Sequence, residues 1–564
     1  MEGFLALKSP LDVDDEKILD NVSNRIHDTD QRFDFLGSRL RHLAATFIQD
    51  RKLEPPRLSN TEAFTTWLEH FSKEHLEDTQ HQWHISKTEG ATLLLMKQRV
   101  KSLQSGDDET WQRVQIIGHV LCDGGIDYEK HLVRLCTSAL RVFMAQPTRL
   151  YLIGFYLRGS RLEVVVLDRS GMYPAVSVDM ANESRLLELV VSFRFMTDRD
   201  LGRSAVIQMD VHGSFIRLGD SEMLYLEGQT IAQSDELVGD GTTCYRGRST
   251  GSNLWHHVVK FKWPLTSSRP ENELLRLAAE RGVEGLIKLR HYQAFDRTST
   301  LRQGYHNGPY RRITWGSQPG SNSGVDDMTV PTDEPFEDRI LTCVVTTPAG
   351  RPLRTFADPT ELLIVFRDAV KAHRSLFQVG KILHRDISAQ NIIIVDHSPW
   401  RGYLIDLDVA IDLSNGPTTT DNIAGTRPFM SIGILKKRKH TYRHDLESFL
   451  YVFLWVVICD GSSNPTKTSR LRRWFKGTWE ESATMKMDDM REENFHIYLD
   501  EFPPRFTYFK QVAEAMRGIL FPVHNGQLWT GTDGSLAVTN QVYDGIIAAF
   551  QRAIDEKVSS DTLG

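Results

Sequence analysis

The spacing of apolar residues divides the chain into stretches of different character. Up to about residue 110 they recur at helical intervals among Asp, Glu, Lys and His, as in Phe33 to Gln49, which predicts a helical N-terminal region over residues 1–110. From Trp111 the period changes. Val114-Gln-Ile-Ile-Gly118 reads as a strand, and Leu132, Leu135, Cys136, Ala139, Leu140 and Phe143 make one helical stripe. Leu150 to Leu157 and Leu162 to Leu167 read as strands around the turn Arg158-Gly-Ser160, and Ser184 to Met196 as a helix. Together these predict a small α/β module over residues 111–218. Residues 219–350 then carry strand patterns, including Val258-Val-Lys260 and Ile340 to Thr346, and a helix that starts at Pro270. Within them, residues 304–339 are dense in Gly, Ser, Pro and Asp and read as an insertion loop without stable structure. Thr347-Pro-Ala-Gly-Arg-Pro352 breaks the last strand. Residues 351–555 are mainly helical, from Glu361 to Val379 through the buried run Phe449 to Cys459, and residues 556–564 form a tail.

A chain of 564 residues exceeds one core and suggests roughly three domains. With 40% hydrophobic and 25% charged residues it has the composition of an ordinary globular protein, and a net charge of -7 gives no chain-wide field for nucleic acid. The apolar run Phe449 to Cys459 is too short to span a bilayer, so no membrane partner is expected. The N-terminus lacks the basic start and apolar core of a signal peptide. Cys122, Cys136, Cys244, Cys343 and Cys459 show no paired spacing for zinc or disulfides, which suits a reducing intracellular setting, cytoplasmic or nuclear.

The chemistry concentrates in Lys381-Ile-Leu-His-Arg-Asp-Ile-Ser-Ala-Gln-Asn391. His384-Arg385-Asp386 with Asn391 five positions beyond Asp386 is the spacing of a protein-kinase catalytic loop, which needs a carboxylate for the acceptor hydroxyl and an amide for metal. Ile392 to Val395 and Tyr403 to Ile405 flank a turn-rich patch and read as a hairpin that holds Asp386 and Asp406 at one end. Upstream, Gly239 and Gly241 lie in a strand-turn-strand that would let backbone approach phosphates, with Cys244 at the usual third glycine. Lys260 follows nineteen residues after Gly241 and can reach phosphate oxygens. Alternation that buries Val259 and Phe261 places Lys262 on the same face, so periodicity does not separate the two lysines. Glu273 is the candidate partner of Lys260, with Glu271 equally available. Asp445, at the start of the apolar helix, can cap that helix and receive hydrogen bonds from the catalytic-loop backbone. The α/β module shows no acid-x-Lys pair of the nuclease kind and reads as a binding or scaffold element.

The segments Lys381 to Ile394, Tyr403 to Ala410, Gly425 to Met430, His444 to Phe449 and Thr346 to Leu353 resemble the fungal-type protein kinase family, a divergent branch of the eukaryotic protein kinase fold. Gln146-Pro-Thr-Arg149 and Asp168-Arg-Ser-Gly171 look like that family's leading module. The resemblance implies an α+β, two-lobed kinase fold preceded by the helical segment and the α/β module. It implies ATP with Mg²⁺ or Mn²⁺, Asp386 as base, Arg385 beside it, Asn391 and Asp406 as metal ligands, Lys260 on the phosphates, and Gly239 and Gly241 as the glycine loop. The expected reaction is phosphoryl transfer to Ser or Thr hydroxyls of a protein substrate. The alternatives are a pseudokinase or scaffold that binds nucleotide without efficient turnover, and a small-molecule kinase, which Ile405-Asp-Leu-Asp408 resembles locally. Two departures stand out: Asp408 replaces the usual glycine after the metal acid, and Met430-Ser-Ile-Gly433 lacks the glutamate that usually anchors the activation segment. The sequence offers no visible substitute for that anchor. Arg385 and Thr418-Thr-Thr420 suggest that threonine phosphorylation orders this segment.

Overall fold

The computed structural model describes residue 25 and residues 33–56, 61–75, 81–86, 91–97, 111–120, 128–158, 160–220, 222–303, 310–313, 329–331, 334–415 and 423–562. The protein is α+β, with two large sheets and a body of helices.

In chain order the first part contains helices α1 (Gly37–Arg51) and α2 (Thr61–His75) and strands β1 (His81–Ser86), β2 (Ala91–Lys97) and β3 (Val114–Val120). Helix α3 (Tyr128–Ala145), strands β4 (Leu152–Arg158), β5 (Arg161–Asp168) and β6 (Gly171–Asp179), and helix α4 (Glu183–Arg194) follow. The six strands form one sheet in sequence order. All neighbours are antiparallel except β3 and β4, and α3 provides the crossover that a parallel pair requires. Alternation sorts the strands onto two cores: Val164 and Val166 face α1, α2 and α4, whereas Val165 and Leu167 face α3. Strands β1 and β2 correct the expectation of a helical region reaching residue 110. Ala91 to Lys97 is a short apolar run that periodicity cannot assign to helix or strand, and pairing with β3 decides it.

The second sheet holds β7 (Gln208–Asp210), β8 (Gly213–Leu218), β9 (Glu222–Gln233), β10 (Thr243–Ser249), β11 (His257–Lys262), β12 (Lys288–Arg297) and a later strand, Ile340–Thr347. Its order runs β12, Ile340–Thr347, β11, β10, β9, β8, β7. Strands β7 and β8 therefore pair with this sheet rather than with the module expected to end at residue 218. Val259 and Phe261 turn into a core with Ile216, Leu224, Cys343 and Val345, so Lys260 faces the other way.

The two sheets meet at the turn Asp168-Arg-Ser-Gly171. Asp168 takes a bidentate pair of hydrogen bonds from Arg302, 2.7 and 2.6 Å, with both side chains fully buried. Ser170 Oγ lies 2.7 Å from the Glu337 carbonyl, and Tyr310 donates to the Ser170 carbonyl at 2.6 Å. Tyr310 and Glu337 belong to residues 304–339, so that stretch is not structureless throughout. It also carries the strand pair Arg311–Ile313 with Thr329–Pro331, while residues 304–309, 314–328 and 332–333 lie outside the described residues.

After Ile340–Thr347 the chain crosses Pro348-Ala-Gly350 into the helical body. Helix α5 (Glu271–Glu280) packs beside β12, and α6 (Pro359–Gln378) starts on an Asp358 side chain that accepts from the Glu361 N–H. Helix α7 (Tyr442–Cys459) is apolar on nearly every side and is buried at the centre of the body. No helix among the described residues is long and apolar enough to cross a membrane.

Candidate active site

The loop between Ile382–Leu383 and Ile392–Ile394 is fixed from below by Asp445. Arg385 adopts φ 71°, a left-handed conformation that costs energy for a non-glycine residue, and its N–H is donated to Asp445 Oδ2 at 3.2 Å. Asp445 also meets His373 Nε2 at 2.9 Å and His440 Nε2 at 2.7 Å. Burial opposes its charge, but His440 and His373 together hold the carboxyl well below the usual range. The helix itself is capped by Thr441 rather than by Asp445, which leaves Asp445 for the loop, as the sequence suggested. His384 Nε2 lies 3.1 Å from the Ile405 carbonyl, and Ile405 N–H donates to the Asn391 carbonyl at 3.0 Å, so the loop and the strand leading to Asp406 are locked together.

Asp386 is oriented through both oxygens. Oδ1 accepts from the Thr426 N–H and hydroxyl, each at 2.8 Å, and Oδ2 from Asn391 Nδ2 at 3.0 Å. Asn391 thereby keeps its Oδ1 for another partner. Arg385 itself is largely buried, with Nη1 3.3 Å from the Val409 carbonyl. Thr418, Thr419 and Thr420 lie outside the described residues.

Lys260 reaches across to three carboxylates: Glu271 at 3.1 Å, Asp406 at 3.2 Å and Asp408 at 2.7 Å. Lys262 binds Asp408 as well, so both lysines share the face that alternation predicted. Burial pushes Asp406 up to about 7, against the pull of Lys260 and with Asp408 and Glu271 adding to the rise. For Asp408 burial acts in the same direction but is overcome by Lys260 and Lys262, which hold it well below the usual carboxylate range. Three carboxylates thus crowd around two lysine amines.

The partner of Lys260 is Glu271, not Glu273. Glu271 shares the buried face of α5 with Leu274, Leu275 and Ala278, the helical i, i+3, i+4, i+7 set, and it also accepts the Leu407 N–H at 3.2 Å. Glu273, two positions on, points outward and lies 3.4 Å from Arg269. The helical stripe was readable in the sequence and singles out Glu271. The glycines are also placed differently from the simple phosphate-cradle picture: a Cβ at Gly241 would lie 2.3 Å from Arg169 Cζ.

Where the sequence lacks a glutamate after Met430, two residues that it did not reveal hold the segment from Pro428 to Ile432. Glu447, fully buried on α7, accepts the Ile432 N–H at 2.6 Å, pairs with Arg443 at 3.0 Å and takes the Tyr451 hydroxyl at 2.8 Å. Lys486, on the helix Trp479–Asp489, donates to the Pro428 and Met430 carbonyls at 2.8 and 2.6 Å and lies over the Tyr451 ring. Gly433 is required here by close approach, since a Cβ would lie 2.2 Å from His444 Nε2. Burial pushes Lys486 down to about 7. In the unfolded chain the amine stays protonated to about 10.4, so between these values the native state binds fewer protons and its stability rises with pH. Relative to Lys486→Met, the wild type should gain roughly 1 kcal/mol per pH unit between about pH 7 and pH 9. Denaturant titrations at pH 7, 8 and 9 that gave a constant difference would show that the amine remains charged.

Residues 91–457 match the family model described as fungal protein kinase. No curated protein matches the chain.

Proposed function

This chain belongs to the fungal protein kinase family, and on that premise we propose that it is a two-lobed protein kinase that transfers the γ-phosphoryl group of ATP to serine or threonine hydroxyls of proteins. The observation that carries the reading is Asp386, with both oxygens oriented by Thr426 and Asn391 and the loop tied through Ile405 to the Lys260–Glu271–Asp406 cluster. The seven-stranded sheet and the helical body, joined through residues 348–350, support the two-lobed arrangement.

In this mechanism the acceptor hydroxyl hydrogen-bonds to Asp386, its oxygen attacks the γ-phosphorus, ADP leaves, and the hydroxyl proton passes to the carboxylate. Thr426 keeps Asp386 from rotating, and Gly425-Thr426 offers the substrate peptide a backbone shelf, anchored further along by Lys486 and Glu447. Lys260 exchanges part of its carboxylate company for phosphate oxygens. Catalysis of this kind rests on positioning and charge neutralisation. The donor set also fits a hard divalent cation such as Mg²⁺ or Mn²⁺: oxygens of Glu271, Asp406 and Asp408 lie within 4.8 Å of one another, and Asn391 Oδ1 is left over by Asp386. Such an ion would supply neutralisation of the phosphate charge, with Asp406 and Asn391 as its ligands.

One observation favours a second reading, nucleotide binding without efficient turnover: Asp408, in place of the usual glycine, occupies both Lys260 and Lys262. Purified protein incubated with radiolabelled ATP, Mg²⁺ or Mn²⁺ and generic protein acceptors separates the two. Transfer to serine or threonine supports the kinase, whereas tight nucleotide binding with no transferred label supports the scaffold. The two acids are separable as well. Asp406→Ala should remove the metal-dependent rise in nucleotide affinity, and Asp408→Gly should retain it. The reverse ranking in calorimetric titrations would move the metal to Asp408.

A further inference from the structure

The loop between β9 and β10, residues 234–242, does not stand free above Lys260. Leu237 and Val238 are buried in the core that α3 forms with the six-stranded sheet, beside Leu135 and Leu167. Arg169, from the turn that joins the sheets, is 2% exposed and donates from Nη1 to the Glu236 and Leu237 carbonyls, at 2.6 and 3.2 Å. Its own carbonyl accepts the Gly239 N–H at 3.0 Å, and its guanidinium lies against Gly241, φ +52°, where no side chain would fit. From the opposite side Arg339 holds Asp240 at 2.6 Å and the Trp263 carbonyl at 3.0 Å, while Trp263 N–H donates to the Asp240 carbonyl at 2.7 Å. The loop is thus bolted at three consecutive residues. Three residues later Cys244 pairs in register with Lys260, so any shift of the loop reaches the nucleotide lysine within one strand turn.

The cost of this arrangement argues for a role. The Arg169 Nε is buried without a hydrogen-bond partner, and no carboxylate lies within ion-pair distance among the described residues. Two carbonyls and the Phe143 ring, 4.7 Å from the guanidinium carbon, compensate this cation in part, but without a carboxylate partner its burial still costs more than an aliphatic side chain in the same space.

We propose that Arg169 is a positioning residue for the nucleotide: supplied by the six-stranded sheet, it fixes the shape of the 234–242 loop and so sets nucleotide affinity at Lys260. The proposal rests on the kinase reading for the location of the nucleotide, not for turnover. Loop freedom costs binding energy because a mobile loop must be ordered when phosphate arrives.

Two variants test it in the full chain. Arg169→Lys keeps the charge but loses the two-carbonyl grip and the guanidinium plane that lies against Gly241 and over the Phe143 ring, and Asp240→Ala releases the loop from Arg339 without touching the core. Hydrogen exchange without nucleotide should accelerate in residues 234–242 for both. The dissociation constant of a fluorescent ATP analogue should rise about tenfold, and KM for ATP should rise with kcat within a few-fold. Faster loop exchange with unchanged nucleotide affinity would overturn the proposal and leave Arg169 a structural bolt only. Unchanged exchange in both variants would overturn it equally. A wild-type chain that binds nucleotide but transfers no phosphate would remove the kinase reading and leave this one to be decided by exchange and affinity. A wild type that binds no nucleotide would remove both.

Discussion

Asp386→Asn should lower phosphoryl transfer by roughly 10²- to 10⁴-fold while leaving nucleotide affinity within a few-fold. The substitution changes one oxygen into an NH₂ group, and it does so among donors: the Thr426 N–H, the Thr426 hydroxyl and Asn391 Nδ2 all point at this carboxylate. An asparagine can satisfy only one side of that set, and it cannot take a proton from the acceptor hydroxyl. Lys260, Glu271 and Asp406 are untouched, so nucleotide should still bind. Turnover measured alongside equilibrium binding reads both quantities. Transfer at the wild-type rate would mean that Asp386 does not act as the base.

The second large effect is on stability. Arg302→Ala should destabilise the protein by about 3–5 kcal/mol, because Asp168 would remain as a buried charge without its partner. Both side chains are fully buried, and Arg302 is the cation that pairs with Asp168, through two hydrogen bonds. Asp168→Leu combined with Arg302→Met should recover part of the loss, since removing both charges also removes their desolvation cost. The recovery would be incomplete because Asp168 also accepts the Ser170 N–H at 2.8 Å. A loss below about 1 kcal/mol for Arg302→Ala in denaturant titrations would show that the pair is not the clasp between the sheets.

Local patterns were readable wherever chemistry and periodicity coincided. The spacing of Asp386, Asn391 and Asp406, the shared face of Lys260 and Lys262, and the role of Asp445 beneath the loop all follow from a few neighbouring residues. Glu271 was also within reach, since the stripe Glu271, Leu274, Leu275, Ala278 marks the buried face of its helix. Other features were not readable because their partners are far apart in the chain. Asp168 meets Arg302, Arg169 meets residues 236–241, and Lys486 meets Pro428 and Met430, and no local period encodes such pairs. Strands β1 and β2 were missed for a different reason: their identity is decided by β3 rather than by their own composition. The sequence drew attention to the glycine at position 241 as a place for phosphate, whereas the neighbour that demands a glycine there is an arginine from the other sheet.

The pairing of β7 and β8 onto β9 also decides where this chain can be divided. A fragment starting near residue 220 would lose both strands, and Glu222 to Tyr225 of β9 would lose their β8 partners, leaving an edge whose backbone donors and acceptors are open to other molecules. Such edges recruit copies of themselves, so a fragment of this kind would tend to self-associate and precipitate regardless of how well its catalytic residues are formed. A start upstream of residue 204 would keep the outermost strand as the three-residue β7, too short to template another chain.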